Sequence, residues 1–176
     1  MTRVGIIGIG FMGWIHWLAY HRLGDVRVAA ISESLPKRLA GDWRDIKGNF
    51  GPPGEQVDLS EISAYANLDD LLHAPQVDLV DVTLPTSQHA DVAIRALEAG
   101  KHTLCEKPLS NSIEEAREMV KYAASRKLYL GCNLNHYFTP PAERARQYMD
   151  EGHIGELVFC LHKMGFNGGE PEGYQP

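Results

Sequence analysis

Three glycines, an acid and a lysine are the residues whose types and spacing could do chemistry in this chain: Gly8, Gly10, Gly13, Glu33 and Lys107. The glycines follow a short apolar run, Arg3-Val4-Gly5-Ile6-Ile7, and open an amphipathic segment. Gly8 permits a tight strand-to-helix turn, Gly10 lets backbone approach a ligand, and Gly13 lets the helix pack close to the strand. A helix that starts there offers free N–H groups and a partial positive charge to a pyrophosphate, with Phe11 and Met12 in its first turn. Glu33 lies twenty positions after Gly13 and could accept hydrogen bonds from an adenosine ribose diol. Lys107, beside a nicotinamide, could hydrogen-bond and stabilise a developing alkoxide. Its plain alternative is a surface lysine paired with Glu106.

The elements that must position these groups alternate between strand and helix patterns. Residues 14 to 23 place Trp14, Ile15, Leu18 and Ala19 on one helical face, with Gly24 as a stop. Val26 to Ile31 reads as the second strand, and Ser34-Leu35-Pro36 opens a further helix with Ser34 as a candidate N-cap. Residues 41 to 64 are less regular; Gly48, Gly51, Pro52, Pro53 and Gly54 mark a long loop, read as an insertion. Asn67 to His73 is helical, and Val77 to Leu84 is an apolar strand that stops at Pro85. The helix at 89–99 turns Val92, Ala93, Ala96 and Leu97 inward and ends at Gly100, and Thr103 to Cys105 is a short strand. Ser112 to Arg126 carries a capping box, Ser112 with Glu115, and a stripe of Ile113, Ala116, Met119, Val120 and Ala123. Leu128 to Cys132 reads as a last buried strand. Repeated strand–helix units imply right-handed crossovers and an α/β fold: a Rossmann doubly wound parallel sheet over residues 1–134. Residues 135–176 read as the truncated start of a second, α+β domain: a helix from Pro140 to about Glu151, the turn Gly152-His153-Ile154-Gly155, and a strand from Leu157 to Leu161. Gly165 to Pro176 is rich in Gly and Pro.

Composition narrows the partners. The 176 residues are 44% hydrophobic and 23% charged, as in an ordinary globular protein, and the net charge of −6 gives no pull toward nucleic acid or anionic membrane. No apolar run approaches a membrane span or a secretion signal. Cys105, Cys132 and Cys160 read as three buried reduced thiols, which suits the cytoplasm. No His, Cys, Asp and Glu set has zinc-site spacing, so no metal is expected.

In a doubly wound sheet, ligands bind beyond the carboxyl ends of the strands. Four segments lie there: the glycine turn, Leu84-Pro85-Thr86-Ser87-Gln88-His89, Cys105-Glu106-Lys107-Pro108-Leu109, and Asn133-Leu134-Asn135-His136-Tyr137. Taken together, Gly8 to Gly13 with His16, the Leu84-Pro85-Thr86 turn with His89, Ala96 to His102 leading into Glu106-Lys107-Pro108, and Gly152 to Glu156 resemble one family. It is the glucose–fructose oxidoreductase, inositol 2-dehydrogenase and rhizopine-catabolism family (Gfo/Idh/MocA), over residues 3 to about 160.

That resemblance implies hydride exchange between a secondary alcohol and a ketone on a sugar, cyclitol or similar polyol. By it, Lys107 contacts the reacting oxygen and the nicotinamide ribose. Leu84, Pro85, Thr86, His89, Glu106, Pro108 and Asn135 line the cofactor's nicotinamide half, Glu33 reads the adenosine ribose, and Arg38 lies along the adenine. NAD is the expected cofactor because Glu33 would repel a 2′-phosphate; Ser32, Ser34, Lys37 and Arg38 keep NADP as the second candidate. The chain departs from the family pattern at Thr86, where Asn is frequent, and at Tyr137-Phe138, where Arg-Phe is frequent. It also has no Asp-x-x-x-His pair after residue 135. Asp69 and His73 have that spacing, but their helix enters the sheet from the opposite edge. His16 reads as a packed helix residue near the phosphates, and His21, His102 and His162 as surface or interface residues. The rival reading is a non-catalytic dinucleotide-binding module that senses cofactor or pairs with another subunit. An unpaired apolar edge at Leu157 to Leu161 would favour a homo-oligomer.

Overall fold

A computed structural model of the chain describes residues 1–161. Six parallel strands form one sheet: β1 (Thr2–Ile7), β2 (Val26–Ser32), β3 (Ser63–Tyr65), β4 (Leu79–Val82), β5 (His102–Cys105) and β6 (Leu130–Cys132). Their order is β3-β2-β1-β4-β5-β6. The helices are α1 (Phe11–Tyr20), α2 (Pro36–Leu39), α3 (Leu68–Leu72), α4 (His89–Glu98), α5 (Ile113–Arg126) and α6 (Pro140–Asp150). The chain runs outward from β1 to β3, returns, and runs outward again from β4 to β6, so the expected doubly wound sheet is present. Its switch point lies between β1 and β4, where Ile7 pairs with Val82. A crevice opens at that point beyond the strand ends.

Both faces of the sheet are covered, which is why its central strands are near-continuous apolar runs. On one face Ile7, Ala30, Val80 and Val82 pack with Leu71 and Leu72 of α3 and Val92 and Ala96 of α4. On the other, Val4, Ile6, Val28 and Ile31 pack with Trp14 and Trp17 of α1 and with Trp43 and Ile46. The segment read as an inserted loop is therefore part of the core. Trp43 is wholly buried, edge-on to both Trp14 and Trp17, and Trp14 Nε1 donates to the Pro52 carbonyl at 2.9 Å.

Several expectations need correction. The first helix begins at Phe11, directly after the glycine turn, and buries His16 and Trp17, whereas Ala19 is exposed. It ends at Tyr20 with His21 closing the last turn, so Gly24 is not its stop. The N-cap of α2 is Leu35; the Ser34 hydroxyl bonds Glu33 instead. β3 was not foreseen, because Ser63-Ala64-Tyr65 has no apolar run to announce it. On α5, Ser112 does accept from the Glu115 amide, but Ile113 and Val120 face solvent and only Met119 and Ala123 are buried. β6 is a half-buried edge strand of three residues, not a buried one.

Of the cysteines only Cys105 is buried; Cys132 is half-buried beside it in register, and Cys160 is exposed. Leu157 to Leu161 forms no strand: the residues are exposed and carry no regular structure. His162 and Gly165 to Pro176 lie outside the described residues.

The chain divides into two compact units, Met1–Asn133 and a second that begins at Leu134. In the second, α6 follows a 3₁₀ turn, Asn135–Phe138. Arg146 donates to the Tyr137 carbonyl at 2.7 Å, and its guanidinium sits 3.9 Å from that ring's centre.

Candidate functional site: a dinucleotide crevice

At Gly8 and Gly13 the glycine turn is built by contacts that leave no room for larger residues. Gly8 has φ +90°, and its amide donates to the Ser32 carbonyl at 2.9 Å. The Thr83 hydroxyl, from the end of β4, donates to the Gly8 carbonyl at 2.7 Å and so ties the turn across the switch point. A Cβ at Gly13 would lie 2.3 Å from the Gly8 carbonyl oxygen, so helix and turn meet backbone to backbone. A Cβ at Gly10 would meet nothing within 4 Å. No side chain caps α1 and no acid stands in its first turn. Open space over Gly10 and an uncapped helix N-terminus fit a pyrophosphate.

Glu33, at the end of β2, is nearly buried and faces the same turn. Its Oε2 accepts from the Ile9 amide at 2.9 Å, while Oε1 accepts from the Ser34 amide, the Ser34 hydroxyl and the Leu35 amide at 2.7, 3.1 and 3.0 Å. The acid expected to read an adenosine ribose thus clasps the turn. Arg38 Nη1 donates to the Ile9 carbonyl at 2.8 Å and lies 3.8 Å from Glu33 Oε2.

At the other strand ends, Pro85 is exposed and Leu84 and Thr86 are half-buried, with Thr86 in a 3₁₀ turn, Thr86–Gln88. His89 is buried, and its two ring nitrogens each lie 2.8 Å from a carbonyl oxygen, those of Leu84 and Pro108. It joins the two loops and presents no ring to the crevice. Lys107 and Pro108 are exposed after β5, with a cis peptide between them. Among the described residues the Lys107 ammonium makes no ion pair; the surface pairing with Glu106 is absent. Asn135 belongs to the second unit, where it is exposed.

Glu106 is engaged elsewhere, in a buried polar cluster that sequence reasoning missed. His16 Nδ1 lies 2.7 Å from Asp81 Oδ2, and His16 Nε2 lies 3.1 Å from Glu106 Oε1. The Tyr20 hydroxyl donates to Asp81 Oδ2 at 2.9 Å, Asn133 donates to Glu106 Oε1, and the Lys107 amide donates to Glu106 Oε2 at 3.1 Å. Burial by itself pushes His16 down, but the hydrogen bonds its ring donates to Asp81 and Glu106 outweigh it and raise the ring to about 9. Burial pushes Glu106 up; its hydrogen bonds with His16 and Asn133 reverse this and leave it below the usual range. Burial, then Asp81, raises Tyr20 well above the phenol range. Cys105 is pushed up to about 12, first by burial, and stays a thiol. The available signal was Asp81 itself, an acid inside the apolar run Val77 to Leu84 that had to find a buried partner.

Asp69 and His73 do not form an acid–imidazole pair: Asp69 pairs with Arg95, and the His73 ring bonds the Asp69 carbonyl. Among the described residues no group of three His, Cys, Asp or Glu side chains could hold a metal, and no helix is long and apolar enough to cross a membrane. A shallow depression lined by Ile94, Glu118, Lys121 and Tyr122 lies on the outer surface of α4 and α5, away from the crevice.

Residues 2–134 match the family described as oxidoreductase family, NAD-binding Rossmann fold. The chain belongs to this family, Gfo/Idh/MocA. Its levoglucosan dehydrogenase from Pseudarthrobacter phenanthrenivorans is 34% identical over 165 residues, covering 89% of this chain and 39% of that protein. The inositol 2-dehydrogenase of Rhizobium meliloti is 30% identical over 89% of this chain and 43% of its own length. The crystal structure of an NAD-binding oxidoreductase from Klebsiella pneumoniae superposes with a TM-score of 0.71 at 30% identity, covering 88% of this chain and 40% of that one. The chain therefore spans about two-fifths of the length of these Gfo/Idh/MocA relatives.

Proposed function

We propose that this chain is the cofactor domain of an NAD-dependent oxidoreductase that interconverts a secondary alcohol and a ketone on a sugar, cyclitol or related polyol. The observation that carries the reading is the uncapped N-terminus of α1, with open space over Gly10, in the same unit and at the same end of the sheet as Lys107. The substrate class is supported by the names of two relatives, a levoglucosan dehydrogenase and an inositol 2-dehydrogenase.

A bound nicotinamide supplies the hydride acceptor or donor. Gly8, Gly10 and Gly13, with Phe11 and Met12, would hold its pyrophosphate against the first turn of α1, and Glu33 and Arg38 would flank the adenosine ribose. Pro85, Thr86, Glu106 and Pro108 would bound the nicotinamide half. The Lys107 ammonium, paired with no acid among the described residues, is available to stabilise negative charge developing on the substrate oxygen. Glu106 is engaged by His16, Asn133 and the Lys107 backbone amide, and the Lys107 ammonium forms no ion pair with it.

Titration with NADH, read as energy transfer from Trp14 and Trp17 and repeated by calorimetry, tests the reading. Saturable binding is the expected result. Absence of binding to folded protein by both methods would overturn it.

A further inference from the structure

Among the charged residues that follow β2, two bases share one acid, Asp45. Lys37 Nζ lies 2.9 Å from Asp45 Oδ2, and Arg38 Nη2 donates to the same oxygen at 3.0 Å. Arg44 binds Asp42 through contacts of 2.8 and 3.0 Å. Lys37, Arg38 and Arg44 are thus balanced by Glu33, Asp42 and Asp45.

Asp45 is held in this place by more than its charge. Its neighbours Trp43 and Ile46 are both buried, and the Trp43 indole N–H donates to the carbonyl of Arg38 itself at 2.8 Å. The Trp43 amide donates to the Glu55 carbonyl at 3.1 Å, and the Gly54 amide to the Ile46 carbonyl at 2.9 Å. The loop core therefore sets the acid opposite the two bases. Hydrogen bonds from Arg38, then Lys37, hold the Asp45 carboxyl down to about 2, so the pairing persists at neutral pH. Arg38 also reaches the Ile9 carbonyl of the glycine turn, which puts the cluster at the adenosine corner of the crevice.

We infer that Asp45 sets the cofactor preference of this site, withholding Lys37 and Arg38 from a ribose 2′-phosphate so that NAD is accepted and NADP rejected. The inference rests on the cofactor reading above. A dinucleotide on the glycine turn brings its adenosine ribose to the end of β2. A 2′-phosphate there carries a charge of about −1.5 to −2 and needs cations with free donors. It meets Glu33 and two bases already sharing one carboxylate oxygen. A 2′-hydroxyl carries no charge and is indifferent to that balance. Neutralising Asp45 shifts the local balance by one positive charge and frees donors on both bases.

The test is titration of NADH and NADPH into the 176-residue chain and into Asp45→Asn, by tryptophan energy transfer and calorimetry. NADPH affinity should rise roughly tenfold in the variant, the scale of one added charge at a few ångströms in a wet site, with NADH affinity within about twofold. The gain should shrink in about 0.5 M salt and be largely lost in the Asp45→Asn/Lys37→Ala double variant. An unchanged NADPH affinity, or an equal rise for both cofactors, overturns the role of Asp45 while leaving the cofactor reading intact. Failure of the unaltered, folded chain to bind NADH overturns both.

Discussion

His16 Nδ1 and Asp81 Oδ2 lie 2.7 Å apart with both side chains buried, and this contact lets an acid occupy a central strand of the sheet. A second carboxylate, Glu106, meets the other ring nitrogen, so one imidazolium separates two buried acids, one in β4 and one just past the end of β5. Replacing His16 by Ala leaves both acids facing each other without a cation. The expected loss is about 3–5 kcal/mol of unfolding free energy, measured by urea denaturation at pH 7.

The same cluster predicts a pH dependence. The His16 ring titrates at about 9 when folded, against 6.5 for the unfolded residue, so the folded state holds its proton more tightly. Its stabilising contribution is fully present below about pH 6.5 and is lost as pH rises through about 9. Glu106 is lowered, so its contribution is present above its ordinary value of 4.5 and lost as pH falls. Urea denaturation between pH 6 and 10 should show stability falling on the alkaline side, and His16→Asn should flatten that fall. An undiminished alkaline slope in the variant would assign it to other groups.

Gly10 and Gly13 separate binding from folding. Gly10→Val places its side chain in open space, so the melting temperature should move by no more than a few degrees while NADH binding is lost. Gly13→Ala drives a Cβ into the Gly8 carbonyl, so helix and turn must part, and a loss of roughly 2 kcal/mol or more is expected in the same denaturation assay.

Trp43→Ala tests whether the segment after α2 is core. Trp43 is wholly buried against Trp14 and Trp17. A cost of about 3–5 kcal/mol is expected by chemical denaturation, where removal of a loop residue would cost a few tenths.

Lys107→Ala should be silent in stability, since the side chain is exposed and pairs with no acid among the described residues. In an active assembly it should lower kcat by about 10²–10³, the scale of losing one group that stabilises transition-state charge, with NADH affinity little changed. Equal losses in affinity and kcat would make it a cofactor-binding residue alone.

Legibility followed the range of the interactions. Gly8, Gly13, Gly100 and the Ser112 cap announce themselves because each answers a local backbone need; the doubly wound sheet is legible in the strand–helix alternation, and the family in short contiguous motifs such as Gly8 to Gly13 and Glu106-Lys107-Pro108. β3 is held by its pairing with β2 and by the side chain of Gln76, which a three-residue polar segment does not advertise. Trp43 looked like part of a loop because its burial comes from helix residues about thirty positions earlier. Ile113 and Val120 share the helical period of Met119 and Ala123, but among the described residues they lie at the margin of the covered face and stay exposed. His16 reads as a packing residue in the sequence because its partners lie 65 and 90 residues away, on segments whose adjacency only the sheet order reveals.

Both borders of the sheet, β3 and β6, are only three residues long. Each offers roughly 10 Å of unsatisfied backbone, too little to template a neighbouring molecule's strand. The sheet of Met1–Asn133 therefore ends on both sides without a ribbon that an incoming strand could extend, and its backbone hydrogen bonding is closed off by shortness rather than by a covering element.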